Sequence, residues 1–123
     1  SNFLKGEKMN TIEKLKKIYE VIDKKLGEDI VILKIEGIST ITDYFVIVSA
    51  PSERQVKALE EALDYELEKE GVTARAVEGR STAKWILMDY TDIIVHIFKN
   101  DEREFYNIER LWKDALLIDV NEL

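Results

Sequence analysis

From Asn10 onward the apolar residues fall into a helical rhythm. Ile12, Leu15, Tyr19, Ile22 and Leu26 form one stripe. Asn10 and Glu13 are spaced as a capping box that starts this helix, and Gly27 supplies the stop. The rhythm then changes. Ile30-Val31-Ile32-Leu33-Lys34-Ile35 is a β-branched run of strand length, and its near-continuous apolarity predicts burial on both faces. A loop from Glu36 to Thr42 leads to a second strand, Asp43 to Val48. Pro51 punctuates, Ser52 and Gln55 read as an S-x-x-Q capping box, and Val56, Leu59, Leu63 and Leu67 stripe a second helix that Gly71 ends. A third strand is expected over Thr73 to Val77. Two more, Trp85 to Met88 and Ile93 to Phe98, are joined by a tight turn through Asp89 to Asp92. Asp101 and Glu104 read as a cap pair for a last helix with Phe105, Ile108, Trp112 and Ala115 along one side.

The order α-β-β-α-β-β-β-α predicts a single compact α/β domain with a mixed five-stranded sheet and flanking helices. The tight final turn can join only antiparallel strands, while a helical connection permits a parallel pair. The tail Leu116 to Val120 is more apolar than a free terminus should be, so it either folds back on the sheet or meets a second copy in a homodimer. Residues 1–8 carry no such rhythm and Met9 reads as a native start. The lead is expected to be expression residue or a disordered segment, with the domain on 9–123.

Composition narrows the function. With 123 residues, 46% of them hydrophobic, the chain can fill one core; 18 Lys and Arg against 25 Asp and Glu leave it at −7. That balance argues against broad binding to a phosphate backbone, hence against DNA, and favours a basic partner. No apolar run has the ~18 residues of a membrane span. The absence of Cys excludes disulfides, thiolate metal sites and a Cys nucleophile, and fits a cytoplasmic setting.

Candidate chemistry is sparse. Neither a G-x-x-x-x-G-K-[ST] loop nor a G-x-G-x-x-G turn occurs, and the single histidine, His96, leaves no His pair for zinc. Mid-strand between Val95 and Ile97, His96 reads as a packed, hydrogen-bonded core residue. Asp43 sits at the mouth of a strand, where sheets of this kind often place ligands, but a D-x-D metal pair fails because position 45 is Phe, and Asp43 reads first as a strand-end cap or turn acceptor. A nucleotide-binding or nucleotidyl-transferring enzyme built on Asp43, Ser39 and Glu36 is the rival reading. The stronger constellation is aromatic: Trp85, Ile86, Leu87, Asp89 and Tyr90 lie together on a strand and its turn. Alternation sends Trp85 and Leu87 to one face and Ile86 and Met88 to the other; which face is open the pattern does not decide.

Thr42-Asp43-Tyr44-Phe45-Val46, Ser52-x-Arg54-Gln55-Val56, Glu78-Gly79, Ala83-x-Trp85-Ile86-Leu87-x-Asp89-Tyr90, Asp92-Ile93-Ile94-Val95-His96-Ile97-Phe98 and Arg103-Glu104-Phe105-Tyr106-x-Ile108-Glu109-Arg110-Leu111-Trp112 occur in this order. Together they resemble the ribosomal silencing factor family, also called Iojap-like, from Ile12 to Ala115. The resemblance implies a nucleotidyltransferase-like topology without established transferase activity, and no catalytic residue, metal or cofactor is expected. It also implies a translational repressor that binds the fourteenth protein of the large ribosomal subunit and sterically blocks the small subunit; contact with ribosomal RNA stays open. Carried over position by position, Trp85, Leu87, Asp89 and Tyr90 would be the leading contacts, with Ser52, Arg54 and Gln55 behind them. Arg103, Tyr106 and Trp112 would close the domain.

Overall fold

A computed structural model describes residues 9–123; the expectation for 1–8 lies outside the described residues. In chain order the elements are α1 (Thr11–Lys24), β1 (Glu28–Lys34), β2 (Tyr44–Ala50), α2 (Glu53–Lys69), β3 (Ala76–Glu78), β4 (Trp85–Asp89), β5 (Ile93–Lys99), α3 (Asn100–Tyr106), α4 (Ile108–Leu111) and β6 (Leu116–Leu117), followed by a short 3-10 turn. The sheet order is β3-β4-β5-β2-β1-β6. Only β2 and β5 run parallel; the other neighbours are antiparallel. The sheet is mixed, as expected, but has six strands among the described residues rather than five. The sixth is the apolar tail, which folds back to pair Leu117 with Leu33 and Leu116 with Lys34.

Alternation along the strands creates two cores. Tyr44, Val46 and Val48 of β2 and Ile93, Val95 and Ile97 of β5 face α1 and α2, meeting Leu15, Ile18, Leu59 and Leu63. Phe45, Ile47, Ile94 and Phe98 face the other way, toward Ile108, Trp112 and Ala115. Because both faces of the central strands are covered, β2 is buried along its whole length.

Asn10 and Glu13 form the reciprocal capping box on α1. The stop differs in detail from the expected glycine signal. Leu26, not Gly27, takes the left-handed conformation (φ 64°), and Gly27 is needed for space, since a Cβ there would lie 2.6 Å from Cγ2 of Val48. Ser52 caps α2 by accepting the Gln55 N–H. The last helix is corrected more substantially. It starts at Asn100 without a side-chain cap, so Asp101 and Glu104 are not a cap pair, and it breaks at Asn107 (φ 46°, ψ 53°). Asn tolerates this left-handed conformation better than most residues. The break turns Ile108 into the second core and leaves Phe105 in solvent, 78% exposed, so the two do not share a buried stripe. The third strand is shorter and later than expected.

Candidate functional site

β4 presents its side chains alternately. Ile86 and Met88 are sealed beneath α2, while Trp85, Leu87 and Asp89 project half-buried on the opposite face. The start of β4 is set by the loop before it. Gly79 (φ 91°) packs so tightly on the Trp85 carbonyl that a Cβ would lie 2.0 Å from the oxygen. Beside it Arg80 anchors the loop to α2, its Nε and Nη2 donating to the buried Glu60 carboxylate at 3.1 and 2.9 Å.

Trp85 stands at the centre of a continuous aromatic array. Its ring lies 4.8 Å from Phe98 and 4.9 Å from Tyr106, and Phe105 follows at 5.1 Å from Tyr106. On its other side the indole Nε1–H donates to Nδ1 of His96 at 3.1 Å; His96 meets Phe45 edge-on at 4.7 Å, and Phe45 meets Trp112 at 5.3 Å. The array grades from sealed rings at Phe45 and Phe98 to solvent at Tyr106, which is 48% exposed, and Phe105. Leu87, directly opposite His96 in the β4–β5 register, adds aliphatic area to the same face. Such a surface is suited to apolar contact around a rigid anchor.

His96 is 5% exposed, and burial lowers its proton affinity to about 4, so the ring is neutral at pH 7. It is the packed, hydrogen-bonded histidine that its mid-strand position predicts.

The other leading residues are distributed differently. Tyr90 is a correction. Two residues on from Met88, it lies on the helix-covered side, 3% exposed, and offers no ring area to a partner. Burial, and then Asp64 and Glu60 of α2, push its phenol up, and its hydroxyl has no hydrogen-bond partner. Asp89 faces the open side, but its carboxylate already accepts from Arg75 Nη2 at 2.7 Å and from the Thr91 N–H at 2.8 Å. Pairing with an outside cation therefore competes with Arg75. Ser52 is occupied as a helix cap, whereas Arg54 and Gln55 are exposed on the first turn of α2. That turn lies at the Trp85 end of the sheet but on its opposite face, so the two sets do not form one patch. The features missed in the sequence are the exposed Phe105 and Tyr106 and the Trp85–His96 bond. The cross-strand register that pairs Trp85 with Phe98 would have signalled the bond.

Asp43 lies at the N-terminal end of the parallel pair β2/β5, whereas ligands in such sheets gather at the C-terminal ends. The expected mouth is thus the wrong end, and Asp43 serves the turn with its backbone carbonyl, accepting from Ile35 and Glu36 N–H groups. The C-terminal end does hold an open polar hollow of about 430 Å³ lined by Ser49, Asn100 and Arg103. The Arg103 guanidinium there is engaged within the fold, donating to both oxygens of Glu109 and to Ser49 Oγ. Among the described residues no three His, Asp or Glu side chains converge as a metal site requires, and no helix is long and apolar enough to cross a membrane.

The chain is similar to known proteins over nearly its whole length. A family model described as "Ribosomal silencing factor during starvation" matches residues 8–123. A ribosomal silencing factor of Bacillus subtilis is 40% identical over 113 residues, 92% of this chain and 96% of the relative. A crystal structure of a Chromobacterium violaceum protein superposes with a TM-score of 0.82 at 30% identity, covering 85% of this chain and 88% of that one. A more distant mouse relative, 26% identical over 77% of this chain and 43% of its own length, is named mitochondrial assembly of ribosomal large subunit protein 1. With the fold, the ordered motifs and these matches in agreement, the chain belongs to the ribosomal silencing factor family.

Proposed function

We propose that this chain docks on the large ribosomal subunit, at its fourteenth protein, through the face carrying Trp85 and Leu87, and blocks the small subunit from joining by occupying space. The observation that carries the reading is the half-open aromatic face itself: rigid rings held by one another, with an edge left in solvent. Aromatic anchors of this kind are enriched among the few residues that dominate interface energy. Family membership supports a ribosomal target, and the name of the mouse relative supports the large subunit. A formal charge of −7 suits a basic ribosomal protein, because opposite charge speeds encounter and sets register.

No catalysis is required. An interface of roughly 1,200–2,000 Å² in total is enough to exclude a competitor from the same surface. In this scheme Trp85 and Leu87 make the central contacts, with Asp89 at their edge. Arg54 and Gln55, which form no single patch with them, make a separate contact past the sheet end, and Ser52 holds their turn. Tyr90 contributes by supporting β4 from beneath.

The test is subunit joining. Purified large subunits incubated with excess protein and then mixed with small subunits should yield few joined ribosomes on a sucrose gradient, with the protein travelling on the large subunit. Undiminished joining in the presence of bound protein would overturn the steric mechanism.

A further inference from the structure

An indole that serves as an anchor works best if it already holds its bound rotamer, because ordering a side chain at the moment of binding costs affinity. Phe98 and Tyr106 restrain the plane of the Trp85 ring by stacking. Stacking alone does not choose between the two orientations related by a half-turn about χ2, since that torsion is broad and roughly two-fold. A directional bond to Nε1 does choose.

We infer that His96 is the positioning residue for Trp85: its Nδ1 accepts the indole N–H across the β4–β5 pair and holds the ring in one orientation before any partner arrives. The inference rests on the docking role proposed for Trp85. The register places Trp85 opposite Phe98 and Leu87 opposite His96, so the two rings are diagonal neighbours on one face, at 3.1 Å between Nε1 and Nδ1. An indole nitrogen only donates, so Nδ1 must carry the lone pair and the proton of the neutral ring must sit on Nε2. That Nε2 is buried without a hydrogen-bond partner. A phenylalanine would fill the same space with no orphaned donor; what the imidazole adds is the acceptor. Phe45, edge-on at 4.7 Å, braces the imidazole from the adjoining strand. Burial keeps the ring neutral at pH 7, so the acceptor is present there.

The experiment uses the full chain with His96→Phe, which keeps the ring and removes the acceptor, and His96→Asn, whose Oδ1 can stand near the place of Nδ1. Imidazole ¹⁵N shifts of the parent protein should report the Nε2–H tautomer. His96→Phe should move the Trp85 indole N–H resonance, assigned with the help of Trp112→Phe, and weaken binding to purified large subunits about three- to tenfold. His96→Asn should recover both the resonance and the affinity. An Nδ1–H tautomer in the parent would overturn the inference. So would parental affinity of His96→Phe under conditions where Trp85→Ala binds weakly. Parental affinity of Trp85→Ala would instead remove the docking role of Trp85, and the positioning role with it. If His96→Phe does not fold, the parent's tautomer and the asparagine variant decide.

Discussion

Beneath α1 and α2 the central strands present Val46, Val48, Val95 and Ile97, aliphatic side chains packed against aliphatic helix residues until none meets water. The reverse side of the same strands presents Phe45, His96 and Phe98, just as buried, but covered largely by other rings and by the single turn of α4. Long amphipathic helices seal a face completely and leave nothing to grip. A short cover lets aromatic residues with polar tips, such as Trp85 and Tyr106, be half core and half surface. Both faces hold the fold together, but only the second leaves an open edge, which the proposed docking uses, so variants in the first core and at that edge should separate stability from binding.

The largest expected effect is on the sealed face. Leu63→Ala, at a wholly buried position of α2, should lower unfolding free energy by about 2–5 kcal/mol in denaturant titrations, with the affinity of the remaining folded protein unchanged. Acid should act on the other face. In the unfolded chain His96 titrates near 6.5, in the fold at about 4, so its full contribution to stability is present above pH 6.5. As the pH falls from 6.5 to about 4 the unfolded chain takes up a proton that the fold refuses, and stability drops by up to about 3 kcal/mol. His96→Phe should flatten that part of the pH profile. Asp92 adds a separate loss at lower pH. Burial raises its proton affinity, but hydrogen bonds from Lys14 and Thr11 outweigh this and hold it below its usual value, so its contribution disappears as the carboxylate protonates.

Trp85→Ala should weaken binding to the large subunit by about 2 kcal/mol while the chain remains folded, as equilibrium binding and circular dichroism would show together. Arg75→Ala should change stability hardly at all, because the guanidinium is largely exposed, and should leave affinity no lower than the parent's since it frees Asp89. A clear loss of binding in that variant would place Arg75 itself in the interface and widen the surface toward β3.

Most of the fold was legible because its signals are local. Asn10 with Glu13, Ser52 with Gln55, and the period-2 alternation of β4 each carry their own physical cause within a few residues. The break at Asn107 was not, since Phe105, Ile108 and Trp112 keep helical spacing across it, and only the second core shows why Ile108 must turn inward. The tail was legible as apolar, but its two-residue pairing with β1 depends on a strand more than eighty positions earlier. For the site, alternation correctly grouped Trp85 with Leu87 but could not say which face lay open, because both sets are apolar and the deciding fact is where the helices pack. Continuing the same alternation past Asp89 would have assigned Tyr90 to the covered face; reading it as part of a turn hid this. The turn role of Asp43 was legible at the strand end, but which end of β2 could face ligands was not, since that depends on its parallel pairing with β5.

Hydroxyl-radical footprinting of the chain, free and bound to purified large subunits, tests the central claim most directly. Oxidation of Trp85, Leu87 and Tyr106 should fall on binding, while Tyr65, exposed on α2, should stay as reactive as in the free protein. Protection of α2 with Trp85 and Tyr106 left fully reactive would contradict docking through the aromatic face.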